Sequence, residues 1–240
     1  MLSIANLEKF TRQTQTSVEN VVREYCQHLF LSYLYKQSGS EKLLFKGGTA
    51  LRVILGSPRF SEDIDFTGIT ISQKTVEDLF TDTLAAIENV GVEVDVREGK
   101  STTGGYLGIA KYHVFNITTS VKIEVSFRRT ARINGTRALI VNDYIPSYTL
   151  VHLPLEKIIQ GKLDALFGRA KPRDFYDYFF LLSGNYPLVK EKETLIKVSE
   201  ILKKTRIDFR SELKKFLPAS HAMHLRDFKA VLQQHIERYL

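Results

Sequence analysis

The chain has 240 residues, with 34 Lys and Arg against 27 Asp and Glu and a formal net charge of +7. At 43% hydrophobic and 25% charged it has the composition of a globular protein, which excludes disordered and fibrous classes. No apolar run approaches the roughly 18 residues that span a bilayer, the start lacks a signal layout, and a lone Cys26 excludes a disulfide framework, so a soluble cytoplasmic protein is expected.

Taken in chain order, residues 17–37 carry apolar positions at helical spacing (Val18, Val21, Val22, Tyr25, Leu29, Tyr33) and predict a long amphipathic helix. Leu43-Leu44-Phe45 predicts a short buried strand ending at Gly47-Gly48, and Thr49 then opens a short helix through Leu55. Residues 63–66 read as a second strand, and 74–90 as a helix stopped by Gly91. Strands follow over 92–97, 106–117, 121–127 and 137–141, with Asn134-Gly135 as a hairpin turn. After Pro146 the chain reads as helical to its end. The expected fold class is α+β: a mixed β-sheet core with flanking helices over 1–148, then an all-helical half over 149–240, with a linker near 143–153.

Charge divides along the same line. Residues 1–150 hold 17 basic and 16 acidic side chains, and residues 151–240 hold 17 and 11, a balance of +6. A regional basic excess suits either a phosphate-bearing partner or a solvated helical surface.

The chemistry concentrates in Phe45-Lys46-Gly47-Gly48-Thr49-Ala50-Leu51-Arg52 and Arg59-Phe60-Ser61-Glu62-Asp63-Ile64-Asp65-Phe66. Side chains alternate along a strand, so Asp63 and Asp65 share one face while Ile64 and Phe66 enter the core. Two such carboxylates suit Mg²⁺ or Mn²⁺, which take oxygen ligands. A double glycine before a helix lets phosphate approach the backbone and the positive helix end. In Val121–Phe127, Glu124 lies on the face opposite Val121, Ile123 and Val125. If this strand neighbours the Asp63 strand, Glu124 is a third metal ligand; otherwise it faces solvent. Arg128 and Arg129, with Arg132 and Arg137, follow that strand, either as triphosphate or RNA-backbone contacts or as a solvated hairpin end.

In 155–167, Lys162 interrupts the apolar stripe of Leu155, Ile158, Ile159, Ala165 and Leu166, which implies an anionic partner or a snorkelling ammonium. Pro172 begins a further helix whose first turns place Asp174 and Asp177 on one face. Acidic residues in a first helical turn are favourable by themselves; Asp174 could instead pair with Lys162 and position it, or accept a proton.

Together, Gly47-Gly48-Thr49-Ala50-Leu51-Arg52, Arg59-x-Ser61-x-Asp63-x-Asp65-Phe66, Lys162-x-x-Ala165-Leu166-x-x-Arg169 and Arg173-Asp174-x-x-Asp177 resemble the AbiEii/AbiGii toxin family of nucleotidyltransferases, whose core is of the DNA-polymerase-β type. The resemblance implies that Gly47, Gly48 and Thr49 cradle the phosphates of a nucleoside triphosphate. Asp63 and Asp65 would hold Mg²⁺ beside Ser61, Lys162 would contact the triphosphate with Arg169 near it, Asp174 would be catalytic, and Arg173 would touch phosphate or RNA. It also implies a helical half that completes the active-site cleft, a tRNA 3′ end as acceptor, and a cognate antitoxin. A protein or small-molecule acceptor, phosphoryl transfer, and a non-catalytic nucleotide- or RNA-binding module remain the alternatives.

Overall fold

The computed structural model describes residues 2–128, 133–221 and 225–240. Two compact units divide them: residues 1–56 with 60–154, and residues 57–59 with 155–240.

The first unit begins with helices α1 (Ile4–Thr14) and α2 (Val18–Leu34), each opened by a serine, Ser3 or Ser17, whose hydroxyl accepts an N–H of the first turn. A seven-stranded sheet follows, made of β1 (Leu43–Lys46), β2 (Asp63–Ile69), β3 (Glu93–Thr102), β4 (Gly105–Val114), β5 (Ile117–Arg128), β6 (Thr136–Ile140) and β7 (Tyr148–His152). Its strand order is β3-β4-β5-β2-β1-β7-β6. Helix α3 (Gly47–Leu55) joins β1 to β2, and α4 (Gln73–Glu88) joins β2 to β3. Helices α2 and α4 pack on the face to which β5 contributes Val121, Ile123 and Val125, all buried. That packing removes apolar area from water on one face and leaves the polar positions of β2 and β5 on the other. β2 and β5 run parallel, whereas β1 and β2 run antiparallel.

Three expectations from the sequence change here. The chain is not helical directly after Pro146, because Tyr148–His152 forms β7, parallel to β1 and antiparallel to β6. Tyr148, Leu150 and His152 are buried in alternation, a period-two signal only five residues long. Asn134-Gly135 does not turn a hairpin between β5 and β6, since β5 pairs with β4 and β2 and β6 pairs with β7. Finally, α3 starts at Gly47 rather than at Thr49, with Lys46 as its N-cap residue.

The second unit consists of α5 (Leu155–Arg169), α6 (Pro172–Ser183), α7 (Lys192–Lys204), α8 (Phe209–Leu213) and α9 (Phe228–Glu237), together with the short segment Ser57–Arg59. Its core is built on Leu166, Phe175, Leu195, Leu202, Leu213 and Leu232, each fully buried. Among the described residues no helix is long and apolar enough to cross a membrane.

Candidate active site

Within the first unit, β2 buries Ile64 and Phe66 and leaves Asp63 and Asp65 half-buried on the opposite face, as strand alternation requires. The neighbouring strands fill out that face. The parallel register sets Lys122 beside Asp63 and Glu124 beside Asp65, and the antiparallel register of β1 sets Lys46 on the other side of Asp65. Lys46 Nζ reaches across β2 to within 3.4 Å of Ser126 Oγ. Burial lowers the Lys46 pKa; Asp65 and Glu124 pull the other way without restoring the ordinary value. Lys122 donates to Glu124, and that hydrogen bond raises the Lys122 pKa above the usual lysine value. Arg128 continues the same face of β5, exposed, with Nη1 donating to the Phe127 carbonyl at 3.2 Å. Arg129 and Arg132 lie outside the described residues.

Gly47 fits against this face. Its φ is +87°, and a Cβ at that position would lie 2.0 Å from Asp65 Oδ2. The carboxylate therefore occupies the space a side chain would fill, and only glycine permits both the conformation and the contact. The N-cap residue of α3, Lys46, makes no capping hydrogen bond through its side chain, and the amides of Gly47, Gly48 and Thr49 lie in the first turn, at the positive end of the helix. The Thr49 side chain itself is turned away from any ligand: it is buried, and its hydroxyl donates to the Asp63 carbonyl. Its contribution beyond the backbone is to tie α3 to the first residue of β2. Ser61 is half-buried, and its carbonyl accepts from Gln27 Nε2 at 2.9 Å.

A buried polar cluster that the sequence did not disclose orients α3. Arg52 makes a two-pronged contact with Glu24 of α2, and its guanidinium lies 3.5 Å from the centroid of the Phe60 ring. Tyr144 also donates to Glu24, at 2.8 Å. Next to it, His28 Nδ1 lies 2.8 Å from the Tyr148 hydroxyl, and burial lowers the His28 pKa to about 4. A polar stripe along α2 (Asn20, Glu24, Gln27, His28) at helical spacing was the available signal.

In the second unit, Lys162 has an anionic partner, as its place in an apolar stripe implied, but the partner is Asp177 and not Asp174. Lys162 Nζ donates to Asp177 Oδ2 at 2.8 Å. Arg59 grips the same carboxylate through Nε and Nη2 at 2.7 and 2.9 Å. Asp177 and the Arg59 side chain are 1% and 5% exposed, so this is a buried carboxylate shared by two cations. Burial alone would raise the Asp177 pKa; Arg59 and Lys162 outweigh it and hold the carboxyl below its ordinary value. Asp174, equally buried, accepts from Arg169 at 2.9 and 2.8 Å and from the Lys171 backbone N–H at 3.1 Å. It acts as a first-turn cap and a partner for Arg169, a geometry that supplies no proton acceptor at Lys162. Arg173 Nε lies 3.6 Å from Glu212.

The donor set fits a divalent cation in part. Asp63 and Asp65 provide two hard oxygen ligands on one strand face beside an approachable helix end. Among the described residues, however, no group of three or more His, Cys, Asp or Glu side chains is arranged to hold a metal, and the expected third ligand, Glu124, is paired with Lys122.

Comparison with known proteins agrees with these motifs. No curated protein matches the chain. The fold is similar to the crystal structure of a proposed nucleotidyltransferase from Helicobacter pylori, with a TM-score of 0.66 and 21% identity over 93% of this chain and 95% of that one. JHP933 from Helicobacter pylori is similar to the same degree, with a TM-score of 0.66 and 22% identity over 93% of each chain. The family described as nucleotidyl transferase AbiEii toxin, type IV TA system, matches residues 29–238. Those 210 residues include every motif described above, and the chain belongs to the AbiEii family of nucleotidyltransferase toxins.

Proposed function

We propose that this toxin-family enzyme transfers a nucleotidyl group from a nucleoside triphosphate to a hydroxyl of RNA, the tRNA 3′ end being the acceptor implied by the resemblance of its motifs. The observation that carries the reading is the packing of Asp65 on Gly47, which sets the first turn of α3 beside two carboxylates. The amides of Gly47, Gly48 and Thr49 bind the phosphates, with Thr49 holding α3 against β2. Asp63 and Asp65 would hold Mg²⁺, which when bound would polarise the phosphate oxygens and lower the pKa of the acceptor hydroxyl. Lys46 and Lys122 balance the charge of the carboxylate face. In the second unit Asp177 fixes the position of the Lys162 ammonium, the group to which the resemblance of the motifs assigns the triphosphate contact. In the reaction the acceptor oxygen bonds to the α-phosphorus, the bond from that phosphorus to the β-phosphate oxygen breaks, pyrophosphate departs and the hydroxyl proton passes to solvent. A cognate antitoxin is the partner that the family implies.

The test is a panel of α-labelled nucleoside triphosphates incubated with the protein, Mg²⁺ and total cellular RNA and protein. Label in RNA of tRNA size supports the reading. Label confined to protein or to a small molecule refutes the RNA acceptor.

A further inference from the structure

The basic excess of the helical half is confined to one segment. Residues 203–229 hold eight basic side chains and three acidic ones, a balance of +5, whereas the rest of residues 151–240 holds nine and eight. The eight are Lys203, Lys204, Arg206, Arg210, Lys214, Lys215, Arg226 and Lys229, and every one is exposed. Two of them, Lys203 and Lys204, stand in the last turn of α7, where the helix dipole already favours cations. Arg210 likewise stands in the last turn of α8, whereas Lys229 stands in the first turn of α9, where the dipole disfavours a cation.

Two of the segment's three carboxylates are engaged elsewhere. Asp208 caps α8 by accepting the Arg210 backbone N–H at 2.9 Å, and Glu212 faces Arg173 of α6. Lys229 spans the carbonyls of Lys203 and Thr205 at 3.1 and 2.8 Å, which holds the end of α7 against the start of α9. Between these elements runs a groove of about 510 Å³, floored by Leu202, Phe209 and Phe228 and rimmed by Lys203, Arg226 and Lys229.

We infer that residues 203–215 with 225–229 form a binding surface for the phosphodiester backbone of RNA. The apolar side chains between the cations, Leu202, Phe209, Leu213 and Phe228, are turned into the unit's own core. Among the described residues of the segment Ile207 is the exposed large apolar side chain, so the surface offers chiefly charge to phosphates and no aromatic base-stacking platform, and binding is insensitive to sequence. This inference rests on the RNA-acceptor reading but is tested apart from it, because binding is measured without nucleotide.

The experiment uses the full chain and a fluorescent single-stranded RNA of mixed sequence, titrated at several salt concentrations. The variant K203Q/R206Q/R226Q is compared with K157Q/K192Q/K197Q, which lowers the net charge equally at exposed lysines of the same unit outside the segment. Circular dichroism checks that both are folded. Losing three phosphate contacts is expected to flatten the log–log salt slope by about 2 and to weaken binding about 100-fold near 0.1 M salt. The second variant should bind within about threefold of wild type. Equal weakening in both variants would reduce the effect to net charge and overturn the proposal. So would a wild-type protein that ignores RNA yet binds vesicles rich in anionic lipid. RNA binding of the expected pattern without label transfer would instead defeat the acceptor reading and leave this surface standing.

Discussion

Replacing Gly47 with alanine probes the contact on which the proposed site rests. The added methyl would sit 2.0 Å from Asp65 Oδ2, 2.7 Å from its Cγ and 2.8 Å from its Cβ. Ordinary van der Waals contact begins near 3.4 Å, so the carboxylate must retreat by about 1.4 Å or the glycine backbone must shift by as much. A displacement of about 1 Å in a positioned catalytic group costs on the order of 100-fold in rate. The left-handed φ of +87° adds about 1–2 kcal/mol of strain that glycine does not bear. G47A should therefore lose at least about 100-fold in kcat while losing only about 1–2 kcal/mol of stability. The assay pairs initial rates of nucleotidyl transfer with urea denaturation of the same preparation. A G47A protein with near wild-type kcat would show that Asp65 need not hold its place against Gly47, and the reasoning would fail. Rate and stability lost together would point instead to a general failure of the fold.

Three further outcomes follow from the geometry. D177N should cost about 3–5 kcal/mol in chemical denaturation, because it leaves the buried Arg59 and Lys162 cations without their shared carboxylate; R59K, which keeps the charge and loses the two-pronged grip, should cost less. His28 is held neutral by burial, with a pKa of about 4 against about 6.5 when unfolded. The unfolded chain binds more protons between those values, so stability is full above about pH 6.5 and falls by about 3 kcal/mol toward pH 4. Denaturation midpoints measured across that range should show the fall in wild type and a smaller one in H28Q. K122M should tighten binding of Mn²⁺, read by calorimetry, because it removes a cation from the carboxylate face and releases Glu124; unchanged or weaker binding would count against Lys122 as its counter-charge.

What the sequence disclosed and what it withheld have physical reasons. Asp63 and Asp65 were legible because a strand alternates, and burying Ile64 and Phe66 leaves the carboxylates only one face. The three apolar residues flanking Lys122 and Glu124 fixed their face in the same way. Which cross-strand neighbour each acquires depends on register, and that brought Lys46 to Asp65 and Lys122 to Asp63 where the local pattern named neither. Lys162 was flagged by standing in an apolar stripe. Helical spacing left Asp174 and Asp177 equally placed to receive it. The choice is made by Arg59, a partner 118 residues from Asp177 in sequence, and by Arg169, which takes Asp174. β7 escaped notice because five residues after a proline carry too short an alternation to outweigh the helices that follow.

The most direct measurement of the central claim is label transfer to RNA from triphosphates labelled at the α- or the γ-phosphate, with wild type and with D65N. Nucleotidyl transfer predicts α-label in RNA, γ-label in pyrophosphate, dependence on a divalent cation, and loss of transfer in D65N with the circular dichroism spectrum unchanged. Incorporation of γ-label, or α-label incorporation undiminished in D65N, would contradict it.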